Sequence, residues 1–158
     1  MKGNRRARVV FVCLGNACRS PMAEAIASRD AADVMEVASA GLTPLGRIEP
    51  MTKQTLTRNG FASDELRSKP VLVSALDAAD IVVNMSGMPK ELAFADHTKV
   101  EDWHVEDPYG ADAELYQRIF EDIERRVTDL AGRLRNGQHG GAKGRNIKKK
   151  GTNGEQQQ

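Results

Sequence analysis

Short apolar runs alternate with helical patterns along most of the chain. Uninterrupted apolar runs of four to six residues are typical of strands inside a parallel sheet. Val9 to Val12 is such a run, and three further segments predict strands: Val34 to Ser39, Ile81 to Met85 and, more weakly, Lys99 to Trp103. The pattern therefore favours an α/β protein.

Three other segments predict helices. Ser20 can cap the first helix, which continues over Met22 to Arg29. Pro50 to Arg58 predicts the second, and Asn59-Gly60 supplies a left-handed stop signal after it. The last helix is the clearest, because apolar residues recur at steps of four and three until Asn136-Gly137 ends it. Its apolar stripe consists of Leu115, Ile119, Ile123, Val127, Leu130 and Leu134.

Alternating strands and helices predict a single domain, in which an open parallel sheet carries helices on both faces. Ligands of such folds bind beyond the carboxyl ends of the strands, near the point where the strand order reverses. The segment that follows the first strand starts at Cys13 and should lie there. A functional loop is therefore expected directly after the first strand.

This segment, residues 13 to 20, reads Cys-Leu-Gly-Asn-Ala-Cys-Arg-Ser. Successive backbone N–H groups can turn inward as an anion nest, and the helix that follows points its positive end at the same place. Arg19 adds a planar fork that can grip two phosphate oxygens. The predicted phosphate-binding residues are Leu14, Gly15, Asn16, Ala17, Cys18, Arg19 and Ser20.

Cys13 lies at the floor of this predicted phosphate-binding loop and is the candidate nucleophile. Cysteine attacks as a thiolate, whereas free thiols titrate at about pH 8.5. The nest, the helix start and Arg19 all favour the anion. Gly15 permits a positive φ, and Asn16 tolerates left-handed geometry. A bare Cys-x5-Arg is common by chance, but the strand, Gly-Asn and Arg-Ser-Pro together are specific, and they predict a phosphatase with a phosphocysteine intermediate.

Asp107 is the candidate general acid and base. Its segment, Asp-Pro-Tyr-Gly, is a predicted turn after the last strand, on the side of the sheet where the Cys13 loop should lie. A leaving group that departs with negative charge needs a proton, and the water that follows needs a base. One carboxyl group can serve both steps. The neighbouring Asp102 and Glu106 are interpreted as solvated surface residues.

The run Val-Cys-Leu-Gly-Asn-Ala-Cys-Arg-Ser-Pro-Met-Ala-Glu resembles the signature of low-molecular-weight protein tyrosine phosphatases. The resemblance extends over roughly Val9 to Leu134. It implies a four-stranded parallel sheet, no metal and no other cofactor. By this resemblance Cys13 is the nucleophile, Arg19 binds phosphate and stabilises the transition state, and Asp107 is the general acid. The residues that would hold the loop in shape are Asn16, Ser20 and Ser39.

Cys18 has two possible roles. A small buried thiol packs well under the loop. A neighbouring thiol can also trap an oxidised Cys13 as a disulfide before further oxidation, and the family resemblance supports this redox role.

The substrate is less well defined than the reaction. Ala17 stands where tyrosine phosphatases of this family usually carry Ile and related arginine phosphatases carry Thr. The stretch from Leu42 to Arg47 lacks the aromatic that often flanks the phosphotyrosine slot, and Leu45 lies about there. Tyr109 would supply the other wall.

Protein phosphotyrosine, or a small aryl phosphate, is the expected substrate. Three alternatives stay open. The first is a protein arginine phosphatase. A thiol-linked arsenate reductase is the second, although no cysteine follows Cys18 to act as a shuttle. The third is a phosphoprotein-binding module without turnover, against which Cys13, Arg19 and Asp107 all speak.

Composition adds limits on partners and location. The chain of 158 residues carries basic residues at both ends, and its middle is acidic. We expect a basic arm at 1–8, the phosphatase domain at 9–135 and a disordered basic tail at 136–158. Neither end interleaves aromatics, so no nucleic-acid partner is expected. No apolar run approaches the roughly 18 residues of a membrane helix, which predicts no membrane partner.

Two cysteines five residues apart do not form a secreted disulfide framework, which favours the cytoplasm. His97, His104 and His139 are too scattered for a metal site. A monomer or a weak dimer is expected.

Overall fold

The computed structural model describes residues 5–137, and this part of the chain contains four strands and five α-helices. The strands are β1 (Ala7–Cys13), β2 (Met35–Gly41), β3 (Ile81–Asn84) and β4 (Val100–Asp102). The helices are α1 (Arg19–Asp30), α2 (Pro50–Arg58), α3 (Val73–Ala78), α4 (Lys90–Ala93) and α5 (Ala113–Arg135). A 3-10 turn, His97–Lys99, leads into β4.

The four strands form one parallel sheet in the order β2-β1-β3-β4. The chain starts in the middle of this sheet and moves first to one side and then to the other. Val12 pairs with Ala40 on β2 and with Asn84 on β3, so three strands end at the same level. The switch in strand order therefore falls at the end of β1, where Cys13 lies.

Successive side chains of β1 point to opposite faces of the sheet, and each face has its own core. Val9 and Phe11 belong to the larger core, which α1, α2 and α5 complete. Val10 and Val12 belong to a smaller core on the other face, beside the segments that contain α3 and α4. The predicted parallel sheet with helices on both faces is confirmed.

The observed strands and helices differ from the predicted ones at the start of β1 and in two short helices. β1 starts at Ala7 rather than Val9, so Ala7 and Arg8 of the predicted basic arm belong to the sheet. The sequence did not predict α3 and α4, which are six and four residues long and contain no buried residue. Helices this short show no hydrophobic period.

The last helix has a wider buried face than its stripe indicated. Tyr116 and Phe120 are both buried, whereas Leu115 and Leu134 are only partly buried. The face is wide because α5 packs against both α1 and α2. After it, Gly137 has a φ of 80°, and Gly60 after α2 has a φ of 86°, as both stop signals predicted.

Beyond Gly137 the predicted basic tail, including His139, lies outside the described residues. Within residues 5–137 no helix combines the length and the apolar character that crossing a membrane requires.

Candidate active site

The loop between β1 and α1 is held by its carbonyl groups. The carbonyls of Cys13, Leu14, Gly15 and Ala17 accept hydrogen bonds of 2.8 to 3.2 Å from the backbone N–H groups of Leu42, Thr43, Leu45 and Glu49. By contrast, no acceptor among the described residues takes a hydrogen bond from the backbone N–H of residues 14–19. These donors are therefore available to an anion.

Asn16 is the residue that shapes the loop. It has a φ of 48°, the one positive φ among the described non-glycine residues, and its side chain is buried. Its Nδ2 donates to Ser20 Oγ at 2.7 Å and to Ser39 Oγ at 3.0 Å. The structure thus brings the three predicted support residues together. Gly15 does not adopt the positive φ expected of it, because Asn16 makes the left-handed turn instead.

Two charged residues extend this support, and the sequence analysis missed them. Ser39 Oγ donates to Glu24 Oε1 at 2.5 Å, and Lys69 Nζ lies 3.9 Å from the same carboxylate oxygen. The backbone N–H of Lys69 also donates to Asn16 Oδ1 at 2.9 Å. Glu24 stands in the quoted signature run, so its presence there was a signal. Nothing in the sequence marked Lys69.

Cys13 ends β1 and is almost fully buried, with 2% of its surface exposed. Its Sγ lies 3.0 Å from Ser20 Oγ and accepts a longer contact of 3.4 Å from Ser20 N. When the sulfur is ionised, both groups of Ser20 can donate to it. Ser20 therefore contacts the Cys13 sulfur through both its side chain and its backbone.

Arg19 is the first residue of α1, and its guanidinium is buried behind the loop. Its Nη1 donates to the carbonyls of Met85 at 2.6 Å and Val105 at 3.2 Å. Its Nε is buried and has no hydrogen-bond partner among the described residues. The two carbonyls fix the side chain, and the guanidinium keeps one N–H group that no described acceptor uses.

Asp107 lies opposite the loop, with about half of its side chain exposed. Its Oδ1 accepts the backbone N–H of Tyr109 at 3.1 Å, and its Oδ2 lies 3.5 Å from Arg19 Nη2. These two contacts orient the carboxylate toward the phosphate-binding loop. Asp102 and Glu106 are exposed, as predicted for surface residues.

One cavity of about 270 Å³ joins these groups. Its lining residues are Cys13, Leu14, Gly15, Ala17, Cys18, Arg19, Thr43, Leu45, Asp107 and Tyr109. Leu45 and Tyr109, the two predicted substrate walls, are 44% and 55% exposed and stand at its mouth. Thr43 was not predicted, because the turn after β2 carries no local signal for it.

No group of three His, Cys, Asp or Glu side chains in the described part of the chain is arranged to hold a metal ion. His97 and His104 are both exposed.

A buried cysteine thiol, backbone donors without acceptors and a carboxylate around one cavity are the parts that covalent catalysis on an anionic substrate requires. The sequence model of the "Low molecular weight phosphotyrosine protein phosphatase" family matches residues 8–139. The chain belongs to this family. Membership supports the assignment of the protein as a cysteine-based phosphatase that acts on phosphorylated substrates.

Relatives of this chain carry three different activities in their names. A putative arsenate reductase of Halobacterium salinarum is 33% identical over 135 residues, which cover 82% of this chain and 94% of the relative. The protein-arginine-phosphatase of Bacillus subtilis is 30% identical over 146 residues, which cover 80% of this chain and 96% of the relative. The crystal structure of a low molecular weight protein tyrosine phosphatase from T. tengcongensis is similar with a TM-score of 0.73 and 28% identity, covering 80% and 99%.

Gly41 allows the loop to sit close to β2, and we expect its replacement to damage the site. A Cβ at Gly41 would lie 2.9 Å from Asn16 Cβ, Asn16 N and Leu14 O, which are parts of the loop itself. Gly41→Ala should therefore displace the loop, destabilise the fold by about 1–3 kcal/mol and lower phosphatase activity. Thermal unfolding and kcat/KM measure the two effects.

Gly132→Ala is the matched control, because nothing lies within 4 Å of its added Cβ. Alanine favours a helix over glycine by up to about 1 kcal/mol, so this variant should be at least as stable as the original. Equal behaviour of the two variants would contradict the role given to Gly41.

Proposed function

We propose that the protein hydrolyses aryl phosphomonoesters, with protein phosphotyrosine as the substrate class, through a phosphocysteine intermediate on Cys13. The observation that carries this proposal is the single cavity that Cys13, Arg19 and Asp107 all line. These side chains come from the end of β1, the start of α1 and the turn before α5.

In the first step the backbone N–H groups of residues 14–19 and Arg19 bind the phosphoryl oxygens. The Cys13 thiolate attacks phosphorus, and the bond to the leaving oxygen breaks. Asp107 protonates that oxygen, so the leaving group departs neutral. The charge that develops on the phosphoryl oxygens faces donors already in place, which is the larger part of the catalysis.

In the second step Asp107 is a carboxylate and removes a proton from water as the water attacks phosphorus. The S–P bond breaks, inorganic phosphate forms and the Cys13 thiolate is regenerated. Ser20 stabilises the departing sulfur, because its hydroxyl lies 3.0 Å from Sγ. One carboxyl group thus serves as acid and then as base.

The cavity mouth favours an aromatic leaving group. Leu14, Leu45 and Tyr109 present apolar surface on which a phenyl ring can pack. Asp107 is the one carboxylate among the lining residues. Because it transfers the proton to the leaving group, it is not free to bind a cation as well. A phosphoarginine side chain would leave its remaining guanidinium charge beside this apolar surface without a second carboxylate.

Phosphoarginine is the second candidate, and its specific support is the 30% identity to a protein-arginine-phosphatase. Ala17 lines the cavity and is compatible with either substrate. One peptide phosphorylated on tyrosine and the same peptide phosphorylated on arginine distinguish them, with a chelator present throughout. We expect kcat/KM to be at least about tenfold higher for phosphotyrosine, a difference of about 1.4 kcal/mol.

Leu45→Ala should reduce this preference, whereas Leu72→Ala should not. Leu72 is also an exposed leucine but does not line the cavity. A higher kcat/KM for the phosphoarginine peptide would replace the proposed substrate class.

Two other experimental outcomes would show that the proposed reaction is wrong. Formation of arsenite from arsenate with an added thiol, without ester hydrolysis, would indicate a reductase, as the name of the Halobacterium salinarum relative suggests. Binding of the phosphopeptide without release of phosphate would indicate a recognition module.

Cys13 and Cys18 are both free thiols. We assign Cys18 the protective role of trapping an oxidised Cys13 as a disulfide, and we place the enzyme in the reducing cytoplasm.

A further inference from the structure

Cys18 shares a buried contact with a tyrosine that the proposed mechanism does not use. The Cys18 Sγ lies 3.2 Å from the hydroxyl oxygen of Tyr116, in the first turn of α5. Both residues are buried, with 4% and 1% of their surfaces exposed. Water therefore has little access to this sulfur, and its state depends on the protein groups around it.

The surroundings of Cys18, taken together, oppose a thiolate at this residue. Burial raises the pKa of the thiol, and the neighbouring hydroxyl groups of Tyr116 and Thr52 oppose that rise. The negative charges of Asp107 and Cys13 raise the pKa of Cys18 further. The net effect is an upward shift, so any reactivity of this thiol depends on its hydroxyl donors.

Of the two neighbouring hydroxyl groups, only that of Tyr116 has a hydrogen free to donate to the Cys18 sulfur. The Thr52 hydroxyl has one hydrogen, and it donates to the Ala17 carbonyl at 2.8 Å. Cys18 is the N-cap residue of α1, but its side chain takes no hydrogen bond from the first turn of that helix. In the thiol either Cys18 or Tyr116 can donate. Once Cys18 is ionised, only the tyrosine hydroxyl can.

We propose that Tyr116 is a positioning residue whose hydroxyl activates Cys18 to close a disulfide with an oxidised Cys13. This inference rests on the proposed function, because it takes Cys13 to be the reactive thiolate. Tyr116 acts on the reacting sulfur through Cys18 and does not touch the substrate. It would set how much of the enzyme survives exposure to peroxide.

The chemistry requires a peroxide as oxidant. The Cys13 thiolate attacks one oxygen of hydrogen peroxide, the O–O bond breaks, and hydroxide leaves as Cys13 becomes a sulfenic acid. The Cys18 thiolate, held by the Tyr116 hydroxyl, then attacks the Cys13 sulfur. The S–S bond forms, the S–O bond breaks, and the departing hydroxide takes up a proton. An added dithiol reduces the disulfide and restores both cysteines.

Tyr116→Phe tests the proposal in the full chain. The wild type and the variant are treated with hydrogen peroxide, alkylated at intervals and digested with trypsin, which cleaves after Arg8 and Arg19 and leaves both cysteines in one peptide. The disulfide appears as the loss of two hydrogens, and overoxidised Cys13 as the gain of two oxygens. We expect disulfide formation to slow by about five- to tenfold in Tyr116→Phe, with more sulfinic acid and less activity recovered by dithiol.

Tyr109→Phe is the matched control, because it removes the other tyrosine hydroxyl of the chain, which has no contact with Cys18. Each protein is scored against its own activity and melting temperature before oxidation. Disulfide formation at the wild-type rate in a folded Tyr116→Phe would overturn the proposal, as would the absence of any disulfide in the wild type. A wild type without phosphatase activity before peroxide would refute the proposed function instead.

Discussion

Cys13→Ser is expected to abolish phosphate ester hydrolysis, with a fall of at least about 10⁴-fold. A serine hydroxyl is not ionised at neutral pH, and the Cys13 sulfur has no hydrogen-bond partner among residues 5–137 that could act as a base. Ser20, the nearest polar side chain, contributes a hydroxyl 3.0 Å from the sulfur. The backbone donors of residues 14–19 and Arg19 are unchanged by the substitution. The variant should therefore bind phosphate while failing to cleave esters.

Two measurements separate these effects. Release of phosphate from phenyl phosphate reports the chemistry, and the rise in melting temperature with added inorganic phosphate reports binding. The proposal predicts loss of the first and retention of the second. Hydrolysis at the wild-type rate in Cys13→Ser would refute the nucleophile assignment. Loss of both signals in a folded variant would show instead that the sulfur shapes the cradle.

Asp107→Asn is expected to slow hydrolysis by about 10²- to 10⁴-fold for leaving groups that need a proton. An amide cannot protonate phenolate, whereas nitrophenolate departs without a proton. The loss should therefore be large for phenyl phosphate and phosphotyrosine and much smaller for nitrophenyl phosphate. Rates for a series of substituted phenyl phosphates, plotted against the acidity of the phenol, measure this dependence. A steeper plot for the variant is the expected result.

Glu106→Gln is the matched control for Asp107→Asn. It removes an adjacent carboxylate that is exposed and does not line the cavity containing Cys13. Its plot should follow that of the wild type. An unchanged slope in Asp107→Asn, or an equal change in Glu106→Gln, would contradict the acid role of Asp107.

The parts of the site that the sequence predicted are those encoded by contiguous residues. The loop follows β1 directly, its helix begins at Arg19, and parallel strands bring all such ends to one edge. Asp107 could be predicted as well, since a turn after the last strand ends at that same edge. The strands and the three longer helices could also be predicted from contiguous residues. The strands contain short apolar runs, and the longer helices carry capping or stop signals or an apolar stripe.

The parts that escaped prediction depend on contacts between distant segments. Lys69 reaches the loop through its backbone N–H, which any residue except proline could supply. Thr43 enters the cavity because the turn after β2 binds the Leu14 carbonyl. Tyr116 was not predicted because the predicted apolar stripe of α5 covers only part of the face that the helix buries. Gly15 and Asn16 were both assigned conformational freedom, but only packing decided that Asn16 takes the positive φ.

The free N–H groups of residues 14–19 have a consequence for how such an enzyme can diverge. Main-chain donors belong to every residue except proline, so no substitution at Leu14 or Ala17 other than proline can delete them. These side chains, together with Leu45 and Tyr109, can vary while the oxyanion cradle persists. Under the proposed function, recognition of the phosphoryl group is thus inherited with the backbone, and choice of the group attached to it is left to a few replaceable side chains.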